Sequence, residues 1–294
     1  MESESHNQTV VLIPAVLITA YFVVGMIAFA IRGALLGVLR DREMETRGSS
    51  VLVGAYLRHY FAWVIGPLWR LVTASGLSAN TVTALAALLG AAAGIAVAFG
   101  HFALGGWLFL FSGIFDVMDG RLARARGQVS PAGAAIDSVL DRYVDAAMLM
   151  GLCWYFRGSW ILAAALAALL GTSLVPYVRA KAESLGLAMR DGLMQRTERM
   201  LYLGAAVTLS PLCEALLAPG AARPTHRLAA AGVVFLAIST NITAFARFRS
   251  LVTALVRKPS LWPPTAPPDS LSTRAQSGAH GRRAQIEGQS GTLS

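Results

Sequence analysis

The chain has 294 residues, 55% of them hydrophobic and only 14% charged, with a formal charge of +9. An average soluble domain carries about 25% charged residues, so this composition excludes an ordinary water-soluble globule and predicts an all-α, polytopic membrane protein. The basic residues cluster at the ends of apolar stretches, which argues for membrane topology and against a nucleic-acid partner; Cys153 and Cys213 lie in apolar runs without disulfide-framework or zinc-site spacing.

The first apolar stretch, 9–31, is long enough to span and lacks the basic lead-in and cleavage site of a signal peptide, which predicts a retained N-terminal transmembrane helix. Arg32, Arg40, Arg42 and Arg47 follow it, placing that end in the cytoplasm and Met1 outside. Residues 51–75 are apolar but interrupted by Arg58, His59, Pro67 and Arg70, and they carry Trp63 and Trp69. That mixture predicts an interfacial amphipathic helix. Further spans are expected over 80–100, 104–118, 134–156, 159–179, 200–217 and 228–246, a six-helix transmembrane core.

Loop charge orients this core. The segments 121–126, 179–199 and 247–258 hold three, five and four Lys or Arg, whereas the opposite side holds Arg157, Arg223 and Arg227. The first set is therefore expected on the cytoplasmic face. Beyond Pro259 the composition turns to Pro, Ser, Gly, Gln and Thr, which predicts a disordered tail. The expected organisation is an N-terminal extension with one transmembrane helix over 1–50, a membrane domain over 51–258, and the tail over 259–294.

Four carboxylates stand at the edges of two neighbouring spans. Asp116 and Asp119 are three positions apart, and Asp137 and Asp141 four apart, so each pair projects from one helix face. Uncompensated anions at membrane depth cost several kcal/mol each. All-oxygen ligation suits a hard divalent ion, and two such ions would also neutralise a pyrophosphate. Gly120 and Gly133 would let a nucleobase and its phosphates approach the helix backbones, and Arg124 could donate to phosphate. Read singly, each aspartate could be a helix cap or the ion-pair partner of Arg121, Arg124 or Arg142. Asp145 extends the Asp137 face by a further turn and is expected to pair with Arg142 or to make a polar helix contact.

The arrangement of Asp116, Asp119, Gly120, Ala123, Arg124, Gly133, Asp137 and Asp141 matches the signature D-x2-D-G-x2-A-R-x8-G-x3-D-x3-D without departure. The chain thereby resembles the CDP-alcohol phosphotransferases; a chance match would have a probability on the order of 10⁻⁸. The resemblance extends to 77–83, which is similar to the entry of the family's first core helix, with Ala79 where Pro is usual. It implies an integral enzyme of the bacterial cytoplasmic membrane, often homodimeric, whose cytoplasm-facing cavity takes a CDP-linked lipid such as CDP-diacylglycerol. Asp116, Asp119, Asp137 and Asp141 would hold Mg²⁺ or Mn²⁺, two ions in all, and Asp141 would also be the base that takes the acceptor's proton. Asn80, Thr83, Gly120, Ala123, Arg124 and Gly133 would bind the CDP-lipid.

The acceptor is written less sharply. Residues 176–183 and 195–199 resemble the phosphatidylinositol-phosphate synthase branch, which implies that Arg179, Lys181, Arg196 and Arg199 bind the phosphate of a polyol phosphate. Arg179 and Lys181 exchange the order of the branch's two cations, and Thr197 replaces its Pro. Inositol 1-phosphate is the expected acceptor and glycerol 3-phosphate the alternative. A cation transporter would account for the carboxylates but not for Gly120, Ala123, Arg124 and Gly133; an inactive scaffold would not need the signature intact.

Overall fold

The computed structural model describes residues 2–36, 55–187, 196–217 and 225–257. Arg40, Arg42, Arg47, the middle of the 179–199 loop and the tail over 259–294 lie outside the described residues. Among the described residues all regular structure is helical: α1 (Glu2–Leu36), α2 (Ala55–Val64), α3 (Gly66–Ala74), α4 (Ala79–Ala98), α5 (Phe102–Ala125), α6 (Pro131–Tyr155), α7 (Ile161–Ser184), α8 (Arg196–Leu217) and α9 (Arg227–Arg257).

Among them, α4, α5, α7, α8 and α9 are long and apolar enough to cross a membrane. The remaining long helix between α4 and α9, α6, has 25 residues, but Asp137, Asp141, Arg142 and Asp145 break up its apolar run, so composition alone does not mark it. It packs against α4 and α7, while α5 packs against α4 and α8, and α9 against α7 and α8. Small residues allow these approaches, as expected where lipid supplies no hydrophobic drive between helices. A Cβ on Gly94 would strike the Ala147 carbonyl, and one on Gly151 would strike the Gly94 carbonyl, so the α4 and α6 backbones touch. Ser112 Oγ donates to the Ala86 carbonyl at 2.7 Å, and Asn241 Nδ2 to the Ala167 carbonyl at 2.8 Å, pinning α5 to α4 and α9 to α7.

The expected interfacial helix is two short helices. They meet at Gly66-Pro67, where proline, having no N–H to donate, opens the first turn of α3. The core helices also run past the apolar stretches that announced them, α5 to Ala125 and α9 to Arg257. Charged residues end a hydropathy signal without ending the backbone hydrogen bonding. Asp116 and Asp119 therefore sit well inside α5, not at its tip.

The N-terminal helix packs on this core through aromatics. Phe22 stacks on Trp107 of α5 with centroids 5.6 Å apart, Tyr21 Oη donates to the Val64 carbonyl at 3.0 Å, and Phe29 is buried against Tyr60 and Trp63.

Candidate active site

The turn between α5 and α6 brings the two carboxylate-bearing faces together. Gly127 adopts φ +64°, a left-handed conformation that ends α5, and Gln128 N donates to the Ala123 carbonyl at 2.8 Å. Ser130, in extended backbone, caps α6 by accepting from Gly133 N at 3.1 Å, and Pro131 follows in the first turn. Arg126 donates to the Leu77 carbonyl, tying the turn to the entry of α4. There Ser78 accepts from Thr81 N at 3.1 Å and starts the helix that carries Asn80 and Thr83.

Asp116, Asp119 and Asp137 each present a carboxylate oxygen, and the three oxygens lie within 4.8 Å of one another. Oxygens bound to one Mg²⁺-sized ion at about 2.1 Å can stand no more than about 4.2 Å apart. A contraction of about half an ångström would thus let the triplet share an ion. Asp119 is buried, and its Oδ2 and the Oδ1 of Asp137 are buried without a hydrogen-bond partner. Orphaned carboxylate oxygens are costly in a low-dielectric site. A hard divalent cation would satisfy both, so these residues fit one.

Asp141 stands outside that triplet. Its Oδ1 lies 3.0 Å from Arg196 Nη2, and Arg196 Nη1 lies 2.7 Å from Asp116 Oδ2. One guanidinium from α8 therefore bridges α5 and α6. Asp145 makes a polar contact between helices, the second of the two roles expected of it, and not a salt bridge with Arg142. Its ion-pair partners are Arg196, with Nε at 3.7 Å, and Arg199, with Nη2 at 3.7 Å. Arg142, the expected partner, donates instead to the carbonyl and hydroxyl of Ser138 on its own helix. The i, i+4 row of Asp137, Asp141 and Asp145 and the i, i+3 pair of Arg196 and Arg199 were both visible in the sequence, but not which would meet.

The remaining candidates fall into groups. Thr83 is buried beside Asp119, its hydroxyl donating to the Ala79 carbonyl at 3.0 Å. Asn80 borders Gly133, where a Cβ would stand 3.8 Å from Asn80 Oδ1 and 3.2 Å from Ser130 Oγ. A Cβ on Gly120 would meet only Arg124, at 3.4 Å, so that face of α5 is open; Arg124 itself is exposed and Ala123 half-buried. The four acceptor cations divide into two pairs. Arg196 and Arg199 lie among the carboxylates, whereas Arg179 and Lys181 are exposed near the end of α7, Arg179 pairing with Glu183 at 2.9 Å. Sequence reasoning did not single out Arg247, which lies within electrostatic reach of Arg199 and donates to the Val175 carbonyl at 3.0 Å.

Comparison with known proteins gives this geometry a family. A sequence model of CDP-alcohol phosphatidyltransferase matches residues 77–245. The phosphatidylinositol phosphate synthase of Mycobacteroides abscessus is 34% identical over 169 residues, which are 53% of this chain and 74% of that protein. Crystal structures of the Mycobacterium tuberculosis phosphatidylinositol phosphate synthase, one with CDP-DAG bound and one with manganese and citrate, match with TM-scores of 0.54 and 27% identity. They cover 64% of this chain and 92% and 88% of theirs. With the matched region holding the carboxylates of α5 and α6 and the guanidiniums of α8, the chain belongs to the CDP-alcohol phosphatidyltransferase family.

Proposed function

We propose that this integral membrane enzyme transfers the phosphatidyl group of CDP-diacylglycerol to inositol 1-phosphate, releasing CMP. One observation carries the reading. The carboxylate triplet with its two orphaned oxygens meets Arg196 through Asp116, and Arg199 lies one turn along α8, paired with Asp145, so groups able to hold a cation and groups able to hold an anion share one site. The names and bound donor of the relatives support the same donor and acceptor.

Asp116, Asp119 and Asp137 would hold the divalent ion, Mg²⁺ or Mn²⁺, with Asp141 adjoining; a second ion would complete the site. When bound, such an ion neutralises pyrophosphate charge and stabilises the charge that develops on the leaving phosphate. Gly120, Ala123, Arg124 and Gly133 would frame the cytidine end of the CDP-lipid, which Asn80 and Thr83 would also help to bind. The acceptor hydroxyl oxygen attacks the phosphorus that bears diacylglycerol, and the bond from that phosphorus to the oxygen bridging to CMP breaks. Asp141 takes the hydroxyl proton. Arg196, which touches Asp141, holds that carboxylate in place and stands where the acceptor's phosphate would be bound with Arg199. Arg179 and Lys181 would draw the same anion toward the site from the end of α7.

The loop charges support a cytoplasmic position for the α5–α6 turn in the bacterial inner membrane, and we infer a homodimer by likeness to the family. The division into an N-terminal extension, a catalytic membrane domain and a tail is part of this reading. The test is CMP release from CDP-diacylglycerol with Mg²⁺ or Mn²⁺, comparing inositol 1-phosphate, glycerol 3-phosphate, free inositol and serine. Turnover with inositol 1-phosphate alone is expected. Turnover with glycerol 3-phosphate in its place would redirect the acceptor, and turnover with free inositol would remove the need for a phosphate pocket.

A further inference from the structure

We propose that Arg196 is a built-in counter-cation of the carboxylate site, which the divalent ion displaces, so that metal loading turns its guanidinium toward an anionic acceptor. The inference rests on the metal-dependent reading above. Arg196 opens α8 and touches aspartates of two other helices: Asp116 at 2.7 Å, Asp141 at 3.0 Å and Asp145 at 3.7 Å.

Asp116 is the residue in dispute. It belongs to the triplet that converges within 4.8 Å, and it also makes the shortest of Arg196's ion pairs. A dication held by that triplet would withdraw the carboxylate's negative charge and set a like charge beside the guanidinium. The two cations therefore bind against one another, and the coupling is reciprocal: the factor by which the Arg196 contact weakens metal binding is the factor by which bound metal weakens that contact.

What Arg196 turns to is marked by a separate observation. The Nε atoms of Arg196 and Arg199 are both buried without a hydrogen-bond partner. Arg199 is 7% exposed, and the two residues lie one turn apart on α8. Asp145 lies 3.7 Å from Arg196 Nε and 3.7 Å from Arg199 Nη2, beyond hydrogen-bond distance, so it anchors both guanidiniums without satisfying either Nε. An anion accepting from both guanidiniums satisfies nitrogens that the protein leaves orphaned. Loading the metal thus prepares the anion site, and a bound anion in turn holds Arg196 away from Asp116.

The experiment is Mn²⁺ titration of the purified full chain in detergent, read by the electron paramagnetic resonance signal of free Mn²⁺, for wild type, Arg196→Gln and Arg199→Gln. Arg196→Gln is expected to bind Mn²⁺ about tenfold more tightly than wild type. Arg199→Gln, which removes a partner of Asp145 but no contact to Asp116, is expected to change affinity less than about twofold. A merely structural role for Arg196 gives the opposite sign, because a damaged site binds metal more weakly. Equal or weaker binding by Arg196→Gln overturns the proposal and leaves the metal-dependent reading standing; absence of Mn²⁺ binding by wild type overturns both. Should Arg196→Gln fail to fold, Arg196→Lys carries the test. Its ammonium cannot bridge Asp116 and Asp141 as the forked guanidinium does. Affinity is then expected to rise about threefold, and no rise overturns the proposal.

Discussion

Asparagine at position 145 keeps the shape of the side chain and removes its charge, which isolates what the α6–α8 ion pairs contribute. Asp145 is 13% exposed and lies 3.7 Å from Arg196 Nε and 3.7 Å from Arg199 Nη2. At an effective dielectric near 20, each unit-charge pair at that distance is worth about 4.5 kcal/mol before desolvation. Desolvation takes back much of this for an intact pair, but deleting one partner strands the others, at about 3–5 kcal/mol. We take about 3 kcal/mol for Asp145→Asn, because Arg196 retains Asp116 and Asp141 while Arg199 is left in a buried position. In a chain of this size that lowers Tm by about 6–12 °C. Thermal unfolding of the detergent-solubilised protein, followed by circular dichroism, measures it. Adding Arg199→Gln is expected to recover part of the loss, since the double variant no longer buries that stranded cation. An Asp145→Asn Tm within about 1 °C of wild type would refute the assignment of these pairs.

Other substitutions probe separate parts of the account. Asp119→Asn removes the charge of a buried carboxylate whose Oδ2 has no hydrogen-bond partner, and is expected to weaken Mn²⁺ binding and CMP release by more than about a hundredfold. A Cβ on Gly106 would stand 2.5 Å from the Thr208 backbone nitrogen. Gly106→Ala therefore forces α5 and α8 apart, and is expected to cost about 1–3 kcal/mol of stability, read as a lower Tm. His226 offers a pH test away from the site. Burial, opposed in part by Glu214, pulls its imidazole down from 6.5 to about 4, and the ring stacks on Phe102 at 3.7 Å. The unfolded chain takes up the proton first, so this contribution is full above pH 6.5 and lost as pH falls toward 4, on the order of 3 kcal/mol in all. His226→Phe is expected to flatten the unfolding-against-pH curve in that window, and a wild-type curve already flat there would remove the assignment.

The carboxylate-bearing helices α5 and α6 were legible because their signals are local. Asp116 and Asp119, and Asp137 and Asp141, share faces by spacing alone, whereas the start of α6 at Ser130-Pro131 lies ahead of the span expected from 134. Spans read from hydropathy were short at the charged end, where α5 and α9 continue as helix through Arg124 and Arg257. The break at Gly66-Pro67 was written in the residues but went unread within the single interfacial helix expected there. What sequence could not give was pairing between distant helices. Arg142 is next to Asp141 in the chain, yet Asp145 meets Arg196 and Arg199 of α8, because helix packing and not sequence proximity sets which charges face each other. The seat of α1 on Trp107 through Phe22 has the same origin.

Anomalous scattering at the manganese edge, from crystals grown with Mn²⁺, locates the ion without reference to activity. The account expects a peak between the carboxylates of Asp116, Asp119 and Asp137, with Arg196 Nη1 moved away from its 2.7 Å contact with Asp116. Ordered Mn²⁺ elsewhere, with those three carboxylates unligated, would contradict it.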